Sequence, residues 1–240
     1  MNATDDLRGL GFFYASADMA RDWRVSSARC AEARAAWAAI LCESVDGRIQ
    51  RRSTIRAHAS ALRGAGVRPI LYTFPDPRAC VAPLELKRAI DRACVAAQDA
   101  GIPHVCLDFE PFGGADWNMR QIQASVNQVH DAGLRASVTI FSRPRWTKMR
   151  WPTVPMVLQV YERARDPRML ERAIVAAETM GGLPVIPAIG TYLGDQARLA
   201  NDLANVRAVT PASEGLAIWS LATTDASERA ELARYAQGSV

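Results

Sequence analysis

The chain has 240 residues, of which 49% are hydrophobic and 22% are charged, the balance of a globular protein long enough for one large domain. No apolar stretch is long enough to cross a membrane. The formal net charge is +4, but basic residues are spread thinly and alternate with acids, so we expect no nucleic-acid partner. The polar first residues lack the order of a secretory signal, which predicts synthesis in the cytoplasm and leaves open a later release to act on a cell wall.

Neither the five cysteines nor the three histidines follow the spacing of metal ligands. The chain has no Cys-x-x-Cys pair, and Cys42 and Cys106 lie within apolar strand patterns, where reduced, buried thiols are expected. We therefore predict no structural metal, no cofactor and no disulfide framework.

Short apolar segments alternate with amphipathic segments along the whole chain, which is typical of repeated βα units and a parallel sheet. The predicted strands are residues 11–15, 38–43, 68–74, 104–110, 135–142, 155–161, 184–191 and 215–221. The predicted helices are residues 54–65, 83–100, 117–132, 167–180, 195–206 and 226–236.

Eight strands are the number that closes a small parallel barrel. The sequence therefore predicts an α/β fold with one domain over residues 1–240, a single compact (β/α)8 TIM barrel. The alternative is an open doubly wound sheet, but the first strand is not followed by the glycine-rich phosphate loop typical of that class. The oligomeric state is left open.

The fourth strand ends in two carboxylates, Asp108 and Glu110, in the segment Leu-Asp-Phe-Glu-Pro. Because side chains alternate along a strand, Leu107 and Phe109 face one side while both acids face the other, about 7 Å apart along the backbone. The carboxyl ends of barrel strands hold the active sites of this fold, so both acids are candidate catalytic residues. The alternative is that one acid caps the next helix or pairs with an arginine.

The last inward residue of the other strands adds aromatic and polar side chains to this face. The predicted set is Tyr14, Glu43, Tyr72, Ser142, Gln159, Tyr161 and Trp219. Rings that stack on sugars, next to groups that bind hydroxyls, are typical of a carbohydrate site. The tyrosines can equally be core residues, and Glu43 can pair with an arginine such as Arg48.

Three segments together resemble the chitinase-like barrels of glycoside hydrolase family 18. They are Leu-Asp-Phe-Glu-Pro at 107–111, Gln-Val-Tyr-Glu at 159–162 and Gly-Leu-Ala-Ile-Trp-Ser-Leu at 215–221. The resemblance implies that Glu110 is the general acid, that Asp108 orients an acetamido group of the substrate, and that Trp219 forms the floor of a sugar subsite. A looser resemblance to the family 25 lysozymes rests on the same two acids.

The chain departs from the family 18 pattern at three positions. Cys106 and Pro103 stand where the fuller motif has two further acids, and Glu162 stands where an aspartate is expected. From family 25 it departs in the first strand, which has aromatic residues where an aspartate is expected.

We therefore predict a glycoside hydrolase that acts on a polysaccharide with N-acetylated amino sugars, such as peptidoglycan or chitin. Because Asp108 and Glu110 leave the same strand, neither can reach the opposite face of the sugar, so we expect substrate assistance with retention. The alternatives are a carbohydrate-binding barrel without catalysis, such as part of a phage or envelope assembly, and a lyase or aldolase. The last needs a lysine at a strand end, and neither Lys87 nor Lys148 lies at one.

Overall fold

Eight parallel strands close into a barrel, in chain order, in the computed structural model. The structure describes residues 6–112, 115–141, 152–181, 185–191, 196–210 and 215–238. The strands are β1 Leu10–Phe13, β2 Trp37–Glu43, β3 Arg68–Thr73, β4 His104–Asp108, β5 Arg135–Phe141, β6 Met156–Gln159, β7 Val185–Gly190 and β8 Leu216–Trp219. The first strand pairs with both the second and the last. The predicted TIM barrel is therefore confirmed.

Helices surround the barrel. They are α1 Ser16–Met19, α2 Trp23–Glu32, α3 Arg52–Gly64, α4 Pro83–Asp99, α5 Met119–Asp131, α6 Pro167–Gly181, α7 Gln196–Val209 and α8 Ala226–Ala236. The six predicted helices correspond to α3 to α8. None of the described helices is long and apolar enough to span a membrane.

The sequence did not predict α1 and α2. The buried residues of α2 are Ser26, Ser27 and Cys30, so the helix presents small, polar side chains to the barrel instead of an apolar stripe. A hydrophobic pattern is the main signal of a helix, and this helix has almost none. Three predicted boundary residues, Ser142, Pro184 and Asp195, lie outside the described residues.

Trp37, the first residue of β2, is fully buried and fills the barrel interior near its amino end. Its indole N–H donates a hydrogen bond to the Leu7 carbonyl oxygen over 3.1 Å. The ring occupies the space beside Gly11, where an added Cβ would lie 1.9 Å from its Cε2 atom. Position 11 on β1 therefore requires a glycine, because a packed interior has no room for both a side chain there and the Trp37 ring.

A buried polar cluster lies at the amino end of the barrel. The His104 ring forms two hydrogen bonds, one of 3.0 Å between Nδ1 and Asp6 and one of 2.8 Å between Nε2 and Ser137. Arg135 forms an ion pair with Asp6 at 2.6 Å. Burial disfavours the Asp6 carboxylate, but the hydrogen bond from His104 and the nearby positive charges outweigh it and lower its pKa. Burial lowers the pKa of His104, which favours a neutral ring.

Gly11→Ala is expected to destabilise the protein by about 3 kcal/mol, because overpacking a rigid core costs this much. The measurement is the free energy of unfolding from denaturant titration. The control is Gly64→Ala at the end of α3, where a Cβ meets nothing within 4 Å and a gain of about 0.5 kcal/mol is expected. Equal stability of the two variants would contradict the proposed packing of Gly11 against Trp37.

Candidate functional site

The carboxyl end of the barrel brings together six of the predicted site residues. Strands β3, β4, β6 and β8 supply the last inward side chains, and short segments just beyond β4 and β6 supply two more. The residues are Tyr72, Asp108, Glu110, Gln159, Tyr161 and Trp219. Strand register places them on the same face, because partners on adjacent parallel strands point to the same side of the sheet.

Asp108 is the innermost of the two acids and is fully buried. Its Oδ2 atom accepts a hydrogen bond of 2.6 Å from the Tyr72 hydroxyl, whereas its Oδ1 atom has no hydrogen-bond partner among the described residues. Burial raises the pKa of Asp108 well above its ordinary value, and the negative charge of Glu110 raises it further, against the opposing effect of the Tyr72 hydrogen bond. This carboxyl group therefore holds its proton more tightly than an ordinary aspartic acid.

Glu110 lies just beyond β4 and is partly exposed. The side-chain amide of Gln159 donates a hydrogen bond to its Oε1 atom, and the indole N–H of Trp117 donates to its backbone carbonyl oxygen over 3.0 Å. The ring of Trp117 packs edge-on against Phe109, with 5.3 Å between ring centroids. The backbone and the carboxylate of Glu110 are thus each held by a separate donor.

Three aromatic rings form a wall beside the two acids. The centroid of Phe13 lies 5.0 Å from that of Tyr72 and 5.5 Å from that of Trp219, and the Tyr72 and Trp219 rings are 5.6 Å apart. Trp219 remains partly exposed while it packs against the core. A second pair, Phe141 and Tyr161, meets edge-on at 5.7 Å. Of these five rings, Trp219 and Phe141 are partly exposed, whereas Phe13, Tyr72 and Tyr161 are buried behind them.

Tyr14 lies outside this site. Its hydroxyl is 3.6 Å from the Cys30 sulfur and its ring packs against His58 at 5.6 Å, so it points toward the surrounding helices. The prediction that Tyr14 faces inward is wrong. The inward residue of β1 is Phe13, and the sequence could not distinguish the two because three aromatic residues follow one another at 12–14.

Glu43 also lies outside the site. A shift in strand register between Leu41 and Glu43 turns its side chain outward, where both of its oxygens accept hydrogen bonds of 2.8 to 3.2 Å from Arg92 on α4. The prediction that Glu43 faces the substrate is wrong. The alternative pairing with an arginine holds, although the partner is Arg92 and not Arg48.

Three contributors were missed by the sequence reasoning, namely Phe13, Trp117 and Phe141. Phe13 would have been predicted if the inward face of β1 had been assigned correctly. Phe141 pairs with Gln159 across β5 and β6, so the two side chains lie on the same face. Trp117 follows the strand by several residues, and no local pattern predicts its contact with Glu110. The predicted Ser142 lies outside the described residues.

Within the described ranges, no group of three or more histidine, cysteine, aspartate or glutamate residues is arranged to hold a metal ion. The chemistry that the described side chains can supply is that of two close carboxyl groups in different surroundings. One is buried and has a raised pKa, and the other is partly exposed and held by an amide. Two carboxyl groups in such different surroundings can take different roles, one that exchanges a proton with a substrate and one that binds it.

Solved structures with the same barrel are similar to nearly the whole chain. A GH18 chitinase from Pseudoalteromonas aurantia is 10% identical with a TM-score of 0.68, covering 97% of this chain and 100% of the other. The GH113 beta-mannanase AaManA from Alicyclobacillus acidocaldarius is 13% identical with a TM-score of 0.66, covering 98% of each chain. A D-allulose 3-epimerase from Methylomonas sp. is 10% identical with a TM-score of 0.65, covering 98% and 99%.

No protein-family model and no curated protein sequence matches the chain. The structural neighbours include glycoside hydrolases and also epimerases. At these identities the likeness shows the fold, and one barrel supports many reactions. The activity must therefore be argued from the side chains at the mouth of the barrel.

Asp108→Asn is expected to raise the melting temperature by about 2 °C or more at pH 7, and by much less near pH 4. The pKa of Asp108 is higher in the folded protein than in the unfolded chain, so the folded state is penalised as the pH rises above the unfolded value of about 4. The asparagine removes this penalty and keeps an acceptor for Tyr72. Thermal melts across this pH range measure it.

The control is Asp46→Asn, at an exposed turn where the hydrogen bond from Ser44 lowers the pKa of Asp46. The sign is reversed here, because a carboxylate with a lowered pKa contributes stability above its unfolded pKa. No gain at pH 7 is expected for this variant. A gain from Asp108→Asn that is independent of pH would contradict the raised pKa of the buried acid.

Proposed function

We propose that the protein is a glycoside hydrolase that cleaves a polysaccharide containing N-acetylated amino sugars, such as peptidoglycan or chitin. The observation that carries the proposal is the fully buried carboxyl group of Asp108, whose Oδ1 atom lacks a partner among the described residues. A buried polar atom without a hydrogen bond costs stability, so Oδ1 is suited to accept a hydrogen bond from a ligand that reaches the carboxyl end of the barrel. An amide N–H of the substrate is a fitting donor.

Glu110 is the proposed proton donor to the glycosidic oxygen. Its Oε1 atom accepts a hydrogen bond from the amide of Gln159. The two carboxyl groups oppose each other's ionisation, so the pair keeps one proton more readily than two separate acids would, and the proposal requires that proton to be on Glu110 when the glycosidic oxygen is protonated. The partial exposure of Glu110 provides access for a polymer that is too large to enter the barrel.

The partly exposed ring of Trp219, packed against the buried rings of Phe13 and Tyr72, supports the binding of a sugar ring. Aromatic rings stack on the apolar face of a pyranose and orient it toward the groups that bind its hydroxyls. Trp219 is the proposed floor, because its partly exposed ring is packed between two others. The tyrosine beneath it also bonds to Asp108, so stacking and acetamido binding share one support.

Substrate assistance is the proposed route to the intermediate. An enzymatic base or nucleophile must approach the sugar from the face opposite Glu110. Glu43 is turned toward Arg92, and the Glu162 side chain is 63% exposed and pairs with Arg165 and Arg198. Neither is aimed at the site. The acetamido oxygen of the substrate is then the proposed nucleophile, oriented by the hydrogen bond from the acetamido N–H to Asp108, and the anomeric configuration is retained.

Glu110→Gln is expected to lower turnover about 10²- to 10⁴-fold, because the amide keeps the shape of the side chain but cannot donate an acidic proton. Incubation with bacterial cell walls and with chitin, followed by mass spectrometry of released products, measures it. The control is Glu162→Gln, expected to stay within about twofold, because solvent-exposed ion pairs contribute little.

Two outcomes would contradict the assignment. A Glu110→Gln variant with more than about a tenth of the original turnover would exclude Glu110 as the general acid. Binding of oligosaccharide by the original protein without any released product would instead indicate a carbohydrate-binding barrel without catalysis.

Retention is expected in the first product, together with inhibition by a thiazoline analogue of the cyclised intermediate. Early NMR spectra of the product anomer report the configuration before mutarotation. Asp108→Asn is expected to weaken binding of the thiazoline more than binding of an oligosaccharide that lacks acetamido groups. An inverted first product, or no inhibition by the thiazoline, would exclude substrate assistance.

A further inference from the structure

A buried carboxylate joins the first and last βα connections at the carboxyl end of the barrel. Asp18 in α1 is fully buried. Its Oδ2 atom accepts a hydrogen bond of 3.0 Å from the backbone N–H of Ala15, in its own connection, and another of 3.0 Å from the N–H of Ala222. Ala222 lies beyond β8, so one oxygen atom links segments more than 200 residues apart.

The segment that Asp18 holds follows Trp219 directly. Residues 220–224 form a compact turn in which the Ser220 carbonyl oxygen accepts hydrogen bonds from three threonine hydroxyls. The donors are Thr191 at 3.3 Å, Thr223 at 3.0 Å and Thr224 at 3.1 Å. Trp219 is the last residue of β8, so the turn begins directly at the strand end that carries its ring.

We infer that Asp18 is a positioning residue, which fixes the aromatic ring of Trp219 by anchoring the turn after β8 to the connection after β1. The inference rests on the proposed function, in which Trp219 is the floor of a sugar subsite. Asp18 itself is fully buried, so any effect on binding must act through the turn. Phe13 precedes the same connection and contacts the Trp219 ring, so the link holds two of the three rings of the aromatic wall.

The surroundings of Asp18 explain why the link depends on an acceptor and not on charge alone. Burial raises the pKa of Asp18 to about 6, although the backbone donors and the charges of Arg21 and Arg29 oppose the increase. Arg21 is a distant donor to the carboxylate, at 3.5 Å. Tyr14 and Cys30, the other titratable groups beside it, have pKa values raised by burial and are neutral. An asparagine at position 18 would keep an oxygen for both N–H groups at no charge cost.

The test compares Asp18→Asn, which keeps an acceptor, with Asp18→Ala, which removes it. Hydrogen exchange of the backbone amides at 219–224 measures the anchoring, and calorimetry with tetra-N-acetylchitotetraose measures binding. Asp18→Ala is expected to exchange faster at these amides and to bind about tenfold more weakly, because the turn loses the acceptor that anchors the Ala222 N–H. Asp18→Asn is expected to remain within about threefold of the original protein.

A double variant distinguishes a positioning role of Asp18 from a general effect on stability. In a Trp219→Ala background, Asp18→Ala is expected to have no further effect on binding, because the group it positions is absent. Thr223→Val loosens the same turn from the other side, so it should reproduce the binding loss even if Asp18→Ala fails to fold. The control Asp22→Ala removes the cap of α2, where the carboxylate accepts from Arg24 N–H at 2.8 Å, and should lower stability without changing binding.

The inference is overturned if Asp18→Ala leaves exchange at 219–224 unchanged, or if its binding loss adds fully to that of Trp219→Ala. It is also overturned if Asp18→Asn behaves like Asp18→Ala. If the original protein does not bind tetra-N-acetylchitotetraose, the proposed function fails for this substrate class, and the exchange rates alone decide whether Asp18 anchors the turn.

Discussion

The hydrogen bond between the Tyr72 hydroxyl and Asp108 is the contact on which the rest of the site depends. It fixes a carboxyl group that is otherwise surrounded by the barrel interior, and it places the tyrosine ring where Phe13 and Trp219 can pack against it. A buried acid carries a desolvation cost that folding must offset. The densely packed strands below provide the rigidity that keeps this arrangement in place, as the fit of Trp37 against Gly11 illustrates.

The sequence predicted the barrel because alternation of apolar and amphipathic segments reports the fold directly. It predicted the inward faces of β4 and β6 because a polar residue follows an apolar one at the strand end, as Asp108 follows Leu107 and Gln159 follows Leu158. It could not orient β1, where successive aromatic residues give no contrast. It also could not detect the register shift that turns Glu43 outward, because the alternation of side chains in the sequence does not show where a bulge interrupts it.

Contacts made by segments after the strands were the least predictable part of the site. Trp117 bonds to the backbone of Glu110, and Asp18 bonds to a turn at the other end of the chain. Both depend on how connections pack against one another once the barrel has closed. Hydrophobic periodicity describes single elements, so it predicts which residues reach the mouth but not which residues hold them there.

The Glu43–Arg92 ion pair has a further consequence for how the barrel comes apart. Glu43 ends β2, whereas Arg92 lies on the helix that follows β3, so the pair connects one βα unit to the next. Local opening of the unit that carries Arg92 would leave Glu43, whose side chain is 10% exposed, without its partner, which is costly. We therefore expect opening of that unit to be coupled to the unit of β2 in native-state hydrogen exchange.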